Sequence, residues 1–319
     1  MKETNTRRTS RIFTHDDCRK HQPPGGFPER VERLEAICRH FEDAAYDVVR
    51  PDIDLEAVDR VVRSAHDGRY VDRLQAASGR GDGIIDSADN PLSAGTWDAA
   101  LAAVGTALAA CDWVFDQETA RHAFVATRPP GHHATASRAM GFCYFNNVAA
   151  AAEHLLKRRD IDRVAVLDFD VHHGNGTQDI FWHRGDVFYL SSHQFPFYPG
   201  SGRADEIGTG EGSGTTLNVP LSAGTGDEGF FAAFDQQMLP ALRTWRPDAF
   251  LVSAGFDAWE RDPLGGLQVG LEAFEAVGTR LGALADEVCG GRLVSLLEGG
   301  YDVSSLPELV ASYCRGVSP

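Results

Sequence analysis

Short apolar runs stop abruptly at polar or glycine residues in five places: 123–133 (AFVATRPPGHH), 164–178 (VAVLDFDVHHGNGTQ), 187–193 (VFYLSSH), 249–257 (AFLVSAGFD) and 293–302 (LVSLLEGGYD). Each run is rich in aliphatic and β-branched residues and too short for a helix, which marks a strand buried on both faces. Between them lie stretches of helical spacing at 145–159, 227–243 and 271–288, preceded by 30–40, 55–76 and an alanine-rich 95–115. The turn-rich 79–92 reads as a loop, and loops of this length on compact enzymes are often functional. Alternating strands and helices predict one α/β domain over residues 1–319, a mainly parallel sheet with helices on both faces in three layers. In such sheets ligands bind outside the carboxyl ends of the strands, so the five polar clusters should meet in one crevice.

The chemistry is densest after the strand at 164–168. In an extended segment residues two apart point the same way, so Asp168, Asp170 and His172 should share one face, with Asp170 and His172 about 6–7 Å apart at Cα. That gap suits two side chains converging on one ion. The turn Gly174-Asn175-Gly176 lets the backbone leave sharply and enter a helix near Thr177. Asp257 can supply a third ligand, although alone it would serve equally as a helix N-cap. Two carboxylates and one imidazole leave a position open for water and substrate, which fits catalytic Zn²⁺ and would also accept Fe²⁺ or Co²⁺. His132 and His133 follow the rigid turn Pro129-Pro130-Gly131. A neutral imidazole takes a proton from an activated water, and an imidazolium returns one to a leaving amine. Asp168 and Asn175 are natural partners for the pair, because a carboxylate raises the pKa of its histidine while an amide orients a ring without adding charge. Tyr301, after Gly299-Gly300, can donate its phenolic hydrogen to an oxygen on which charge develops. The parts describe metal-assisted hydrolysis of an amide.

Composition narrows the partners. A net charge of −16 disfavours nucleic acid and favours the approach of cationic substrates. Six cysteines without a C-x-x-C pair argue for reduced thiols rather than a disulfide scaffold or thiolate zinc site. No apolar run approaches the roughly 18–20 residues that cross a bilayer. The N-terminal MKETNTRRTSRIF leads into no apolar signal core. A cytoplasmic protein without membrane contact is expected, and its oligomeric state is left open.

Six motifs carry a resemblance: RPPGHHA (128–134), GFCYFNN (141–147), LDFDVHHGNGTQ (167–178), SSHQFPFYPGSG (191–202), SAGFDAWERDPLGG (253–266) and LEGGY (297–301). In this order they resemble the zinc-dependent histone deacetylase family, with bacterial deacetylase-like and acetylpolyamine amidohydrolases among its members, and Asn175 with EGGY resembles its class II branch. The resemblance implies an arginase/deacetylase-like fold and removal of an acyl, usually acetyl, group from acyl-lysine or a similar small or peptide amide. It assigns zinc to Asp170, His172 and Asp257, proton transfer to His133, support to His132 and carbonyl polarisation to Tyr301. It implies an acyl-lysine tunnel walled by Gly141, Phe142 and Tyr198 with Leu264 near the mouth, and a rim aspartate at Asp89. A structural K⁺ would rest on Asp168, Ser191 and the backbone carbonyls of Asp170, His172 and Ser192. Two departures stand out: Phe27-Pro28-Glu29-Arg30 where relatives often read HPER, and Trp259 where they often carry histidine, which is expected to alter the entrance. The alternatives are an acetylpolyamine amidohydrolase, with Glu260 or Asp89 meeting the second ammonium, and a dimanganese ureohydrolase of the arginase type. A silent acyl-lysine binder should have lost Tyr301 or a metal ligand, and none is lost. Gly174-Asn175-Gly176 lacks the full glycine-rich phosphate fingerprint.

Overall fold

The computed structural model describes residues 9–116, 119 and 121–318. The N-terminal reading covers residues 1–13, of which 1–8 lie outside the described residues. Among those, eight strands form one sheet: β1 (Thr9–Phe13), β2 (Val48–Val49), β3 (Arg121–Val125), β4 (Val164–Asp168), β5 (Val187–Gln194), β6 (Thr216–Leu221), β7 (Ala249–Ala254) and β8 (Arg292–Leu297). Their order is β2-β1-β3-β8-β7-β4-β5-β6, and every pairing is parallel. The five strands read from the apolar runs are thus the five contiguous central ones. The three that the pattern missed lie outside them, where a two-residue β2 and a β6 carrying exposed Pro220 need no continuous apolar run.

Alternate residues of the central strands feed two separate cores. On β4, Ala165 and Leu167 join one cluster while Val164 and Val166 join another, and β7 divides Phe250 and Val252 from Ala249 and Leu251 in the same way. The first core is closed by α1 (Val31–Asp43), α7 (Asp227–Ala233), α8 (Leu239–Trp245), α9 (Leu271–Cys289) and α10 (Leu306–Val317). The second is closed by α4 (Thr96–Phe115), α5 (Asn147–Leu155) and Phe181 of the short α6 (Asn175–Phe181). Outside it, α2 (Leu55–Ala65) and α3 (Gly68–Arg80) pack on α4 and α5 through a third cluster. The period-2 alternation explains the layering, because a strand buried on both faces must satisfy two cores at once.

Three expectations change. The stretch 55–76 is two helices, not one: the chain breaks at His66, which bridges Thr135 O (2.9 Å) and Asn146 N (2.9 Å), and Asp67 caps α3 by accepting from Arg69 N (2.8 Å). The helical stretch 227–243 is interrupted by a π turn at Phe234–Met238. Finally, α4 is long and apolar enough to cross a bilayer, contrary to the reading of the apolar runs, but 78% of that stretch is buried inside the protein. All six cysteines are buried and none is in a disulfide.

Candidate active site

β4 ends at Asp168, and its two neighbours contribute Ser253 and Ser191 in register. The chain then bends rather than continuing extended, so strand alternation is not what orients Asp170 and His172. Asp168 Oδ1 turns back to accept from Asp170 N (3.1 Å), while its Oδ2 meets His132 Nδ1 (3.0 Å) and the Tyr189 hydroxyl (3.1 Å). Asp170 and His172 instead turn toward Asp257, beyond β7. His172 Nδ1 lies 3.1 Å from Asp170 Oδ1 and 3.1 Å from Asp257 Oδ2.

These three are the one group of potential metal ligands among the described residues, with one donor atom from each within 4.8 Å of the others. The surroundings fit a cation. Gly299 N donates to Asp170 Oδ2 (2.7 Å) and Val171 N to Asp257 Oδ1 (2.9 Å), which fixes the carboxylates. Glycine is required beside them, because a Cβ on Gly255 or Gly299 would collide with these carboxylate oxygens. Burial and the charge of Asp170 push the Asp257 carboxyl up, whereas the His132 and His172 charges outweigh burial and hold Asp170 down. Two buried carboxylates facing one imidazole are a donor set that a cation can hold together, taking over the role of the His172 proton.

The two turn histidines are sorted by their partners. Burial alone would lower His132, but Asp168, Asp170 and Glu298 raise it to about 10, so it is an imidazolium. His133 donates from Nδ1 to Asn175 Oδ1 (2.8 Å) and is held well below its ordinary pKa by burial and by the charges of His132 and His172. It is therefore neutral, with Nε2 left as a base. Their ring centroids are 4.0 Å apart. Sequence reading missed Glu298, whose Oε2 accepts from Gly131 N (2.7 Å) and His132 N (3.1 Å) and fixes the turn. Burial pushes that carboxyl up to about 7. Its place in LEGGY was visible, but nothing local said that it reached residue 131.

Above the donors opens a cavity of about 320 Å³. Its base is formed by His133, His172 and Tyr301, its walls by Gly141, Phe142, Phe197 and Tyr198, and its mouth by Asp89 and Leu264. All five residues expected to bind substrate therefore line one space. Phe142 has φ +68°, a sparsely populated conformation for a bulky residue, and follows Gly141 at φ +56°. A Cβ on Gly141 would strike the His133 ring. Phe197, also missed from sequence, stacks on His172 with centroids 5.2 Å apart and planes 16° apart. Tyr301 is buried, which pushes its phenol well above the ordinary value and keeps it protonated. Phe27, at the first departure, packs edge-on to Phe142 at 5.1 Å and extends the aromatic wall. Trp259 does not alter the entrance: it is 5% exposed, absent from the cavity lining, and its Nε1 points to Asp302 Oδ2 (3.4 Å). Glu260 is exposed and likewise absent from that lining.

Comparison with known proteins finds relatives over most of the chain. A probable deacetylase of Archaeoglobus fulgidus is 39% identical over 298 residues, covering 92% of this chain and 81% of the relative. A histone deacetylase-like amidohydrolase of Pseudomonas aeruginosa is 42% identical over 254 residues, 79% of this chain but 66% of the relative. Among solved structures, an acetylpolyamine aminohydrolase from Burkholderia pseudomallei superposes with TM-score 0.86 at 32% identity, covering 97% of this chain and 98% of that one. The family model of the histone deacetylase domain matches residues 27–317, and on that span, with these relatives, the chain belongs to the histone deacetylase family.

Proposed function

We propose that this protein is a zinc-dependent deacylase that hydrolyses the amide of acyl-lysine or a similar small acylated amine. The observation that carries this reading is the tunnel itself: an apolar, aromatic-walled space ends at His172, which with Asp170 and Asp257 forms the candidate metal-ligand group, beside a neutral histidine and a protonated phenol. Asp170, His172 and Asp257 would hold the ion. When bound, it would polarise the acyl carbonyl and acidify a water beside it. Phe142, Phe197 and Tyr198 enclose the methylene stem and exclude bulk water. His133 Nε2 takes a proton from the attacking water while Asn175 holds the Nδ1 proton, and the imidazolium then gives the proton to the departing amine. Tyr301 donates its hydroxyl hydrogen to the carbonyl oxygen as that oxygen gains negative charge.

Asp168 and Ser191, with the carbonyls of Asp170, His172 and Ser192, are proposed to hold a K⁺. His193 Nε2 donates to Gly202 O (2.8 Å), so its Nδ1 accepts from Ser191 Oγ (2.8 Å) and leaves the hydroxyl lone pairs for a cation. An acetylpolyamine amidohydrolase is the second reading, favoured by Asp89, the one carboxylate of the mouth. The single donor group among the described residues gives no support to a dimanganese ureohydrolase.

Protein stripped by chelation and reloaded with Zn²⁺, Fe²⁺ or Co²⁺ should regain turnover of acetyl-lysine substrates with about one metal per chain. Asp257→Ala should lose both metal and turnover, and full activity with metal retained would remove Asp257 from the site. A kcat/KM at least about tenfold higher for acetylspermidine or acetylputrescine, about 1.4 kcal/mol, would move the assignment to polyamines.

A further inference from the structure

We propose that the Tyr198 hydroxyl, by binding Asp89 across the tunnel mouth, restricts this enzyme to small free acylated amines and disfavours acyl-lysine embedded in a polypeptide. The proposal rests on the acyl-amide reading and names its substrate class.

Asp89 stands on the loop after α3, a loop that begins at Gly81 rather than at 79, and its carboxylate ties together three segments. Oδ2 accepts from Gly141 N (3.0 Å) on one wall and from the Tyr198 hydroxyl (2.9 Å) on the other, while Oδ1 accepts from the Ser87 hydroxyl of its own loop. A carboxylate offers roughly four acceptor positions, so these donors leave one. The result is a belt that bridges one side of the mouth from Gly141 to Tyr198, with the Tyr198 ring standing edge-on to His133 at 5.2 Å beneath it.

A peptide-borne substrate makes demands that a free one does not. When an acyl-lysine side chain enters from a polypeptide, the backbone N–H groups on either side are drawn against the mouth and lose water, and each needs an acceptor. Asp89 is the sole carboxylate among the lining residues; of the other ionisable groups of the lining, His133, His172 and Tyr301 sit at the base and Tyr198 is the group that already holds Asp89. To serve a peptide N–H pair, Asp89 must release Tyr198 and open the belt. A free acylated amine leaves its far end in water and enters with the belt intact. Tyr198 is 39% exposed, so an arriving chain meets this residue at the mouth. Phenylalanine would keep the wall while freeing the carboxylate.

The test compares free Nε-acetyl-lysine with acetyl-lysine at the centre of a short peptide blocked at both ends, using the metal-loaded full chain. The parent should favour the free amino acid. Tyr198→Phe should shift the kcat/KM ratio toward the peptide by about tenfold, about 1.4 kcal/mol. Adding Asp89→Asn should abolish that shift, because the gain runs through the freed carboxylate. An unmoved ratio in Tyr198→Phe, or a shift that persists with Asp89→Asn, would overturn the proposal while leaving the acyl-amide reading standing. Equilibrium binding of both probes to the Tyr301→Phe protein, with and without Tyr198→Phe, reads the same ratio without turnover. Failure of every variant to bind or turn over either probe would remove this proposal together with the reading beneath it.

Discussion

Tyr301 follows two glycines, and a backbone that permissive needs outside ties to hold a phenol in place. Arg33 takes the carbonyls, donating from Nε to Gly300 O (2.7 Å) and from Nη2 to Glu298 O (2.6 Å), with its guanidinium 4.8 Å from the Tyr301 ring centre. Asp262, 8% exposed, takes the amides: its Oδ2 accepts from Tyr301 N (2.6 Å) and Asp302 N (3.3 Å), and its Oδ1 from Leu264 N (2.9 Å). Tyr301→Phe should keep metal and fold and lose about 2–4 kcal/mol of transition-state stabilisation, the scale of one oxyanion donor. Asp262→Ala should lower kcat more than it changes KM, and the two losses should fall short of additive when combined, since Asp262 acts through Tyr301. Strict additivity in that double-mutant cycle would place the effect of Asp262 elsewhere. The roles proposed for His133 and Tyr301 could be named from the motifs, but nothing in the sequence around Asp262 says which loop its carboxylate holds.

Helices α9 and α10 lie so close that glycine is needed where they meet. A Cβ on Gly278 would run into Tyr313 O and approach Val317 N to 2.9 Å, and one on Gly316 would run into Glu275 O. Backbone atoms cannot swing aside as a flexible side chain can. Gly278→Ala gains about 1 kcal/mol of helix propensity but incurs overpacking of about 1–3 kcal/mol, so the melting temperature should fall while folded protein keeps its metal. A rise in Tm would mean that the helices part at little cost. At this scale the apolar pattern located α9 within a residue or two, because a long stretch buried on one side keeps its period over many residues. It overran the break at His66 because that break is made by Thr135 and Asn146, far along the chain.

Across the whole molecule, one buried ion cluster pins the N-terminal segment to the catalytic turn. Arg128, immediately before Pro129, donates from Nε (2.8 Å) and Nη2 (2.6 Å) to Glu29, which also meets Arg33 Nη1 at 3.3 Å. Burial would raise the Glu29 carboxyl, but Arg128 and Arg33 outweigh it and hold it at about 2 against an ordinary 4.5. A depressed folded-state pKa contributes stability fully above pH 4.5, which is lost as pH falls toward 2. The shift is worth about 3 kcal/mol. Urea unfolding followed from pH 6 to pH 2 should steepen below 4.5 in the parent and flatten in Glu29→Gln. Equal slopes in both would show that other carboxylates govern acid unfolding.

The sequence by itself determined the central sheet and the chemistry at its strand ends. Buried parallel strands must be apolar on both faces, and their polar ends must stand where the runs stop, so both signals are local. That Asp168 and Asn175 serve the two histidines was legible too, from charge and amide chemistry, whereas which of them meets His132 and which His133 was not. Only the tertiary structure decided the bend after Asp168, the reach of Glu298 to residue 131, the place of Phe197 over His172, the burial of Trp259 away from the mouth and the Tyr198–Asp89 bond. The bend is a local turn of Asp170 N on Asp168 Oδ1, and the other four depend on two segments meeting in space. A linear pattern records how a residue relates to its neighbours in the chain, whereas a hydrogen bond between distant loops is set by where the sheet brings their ends.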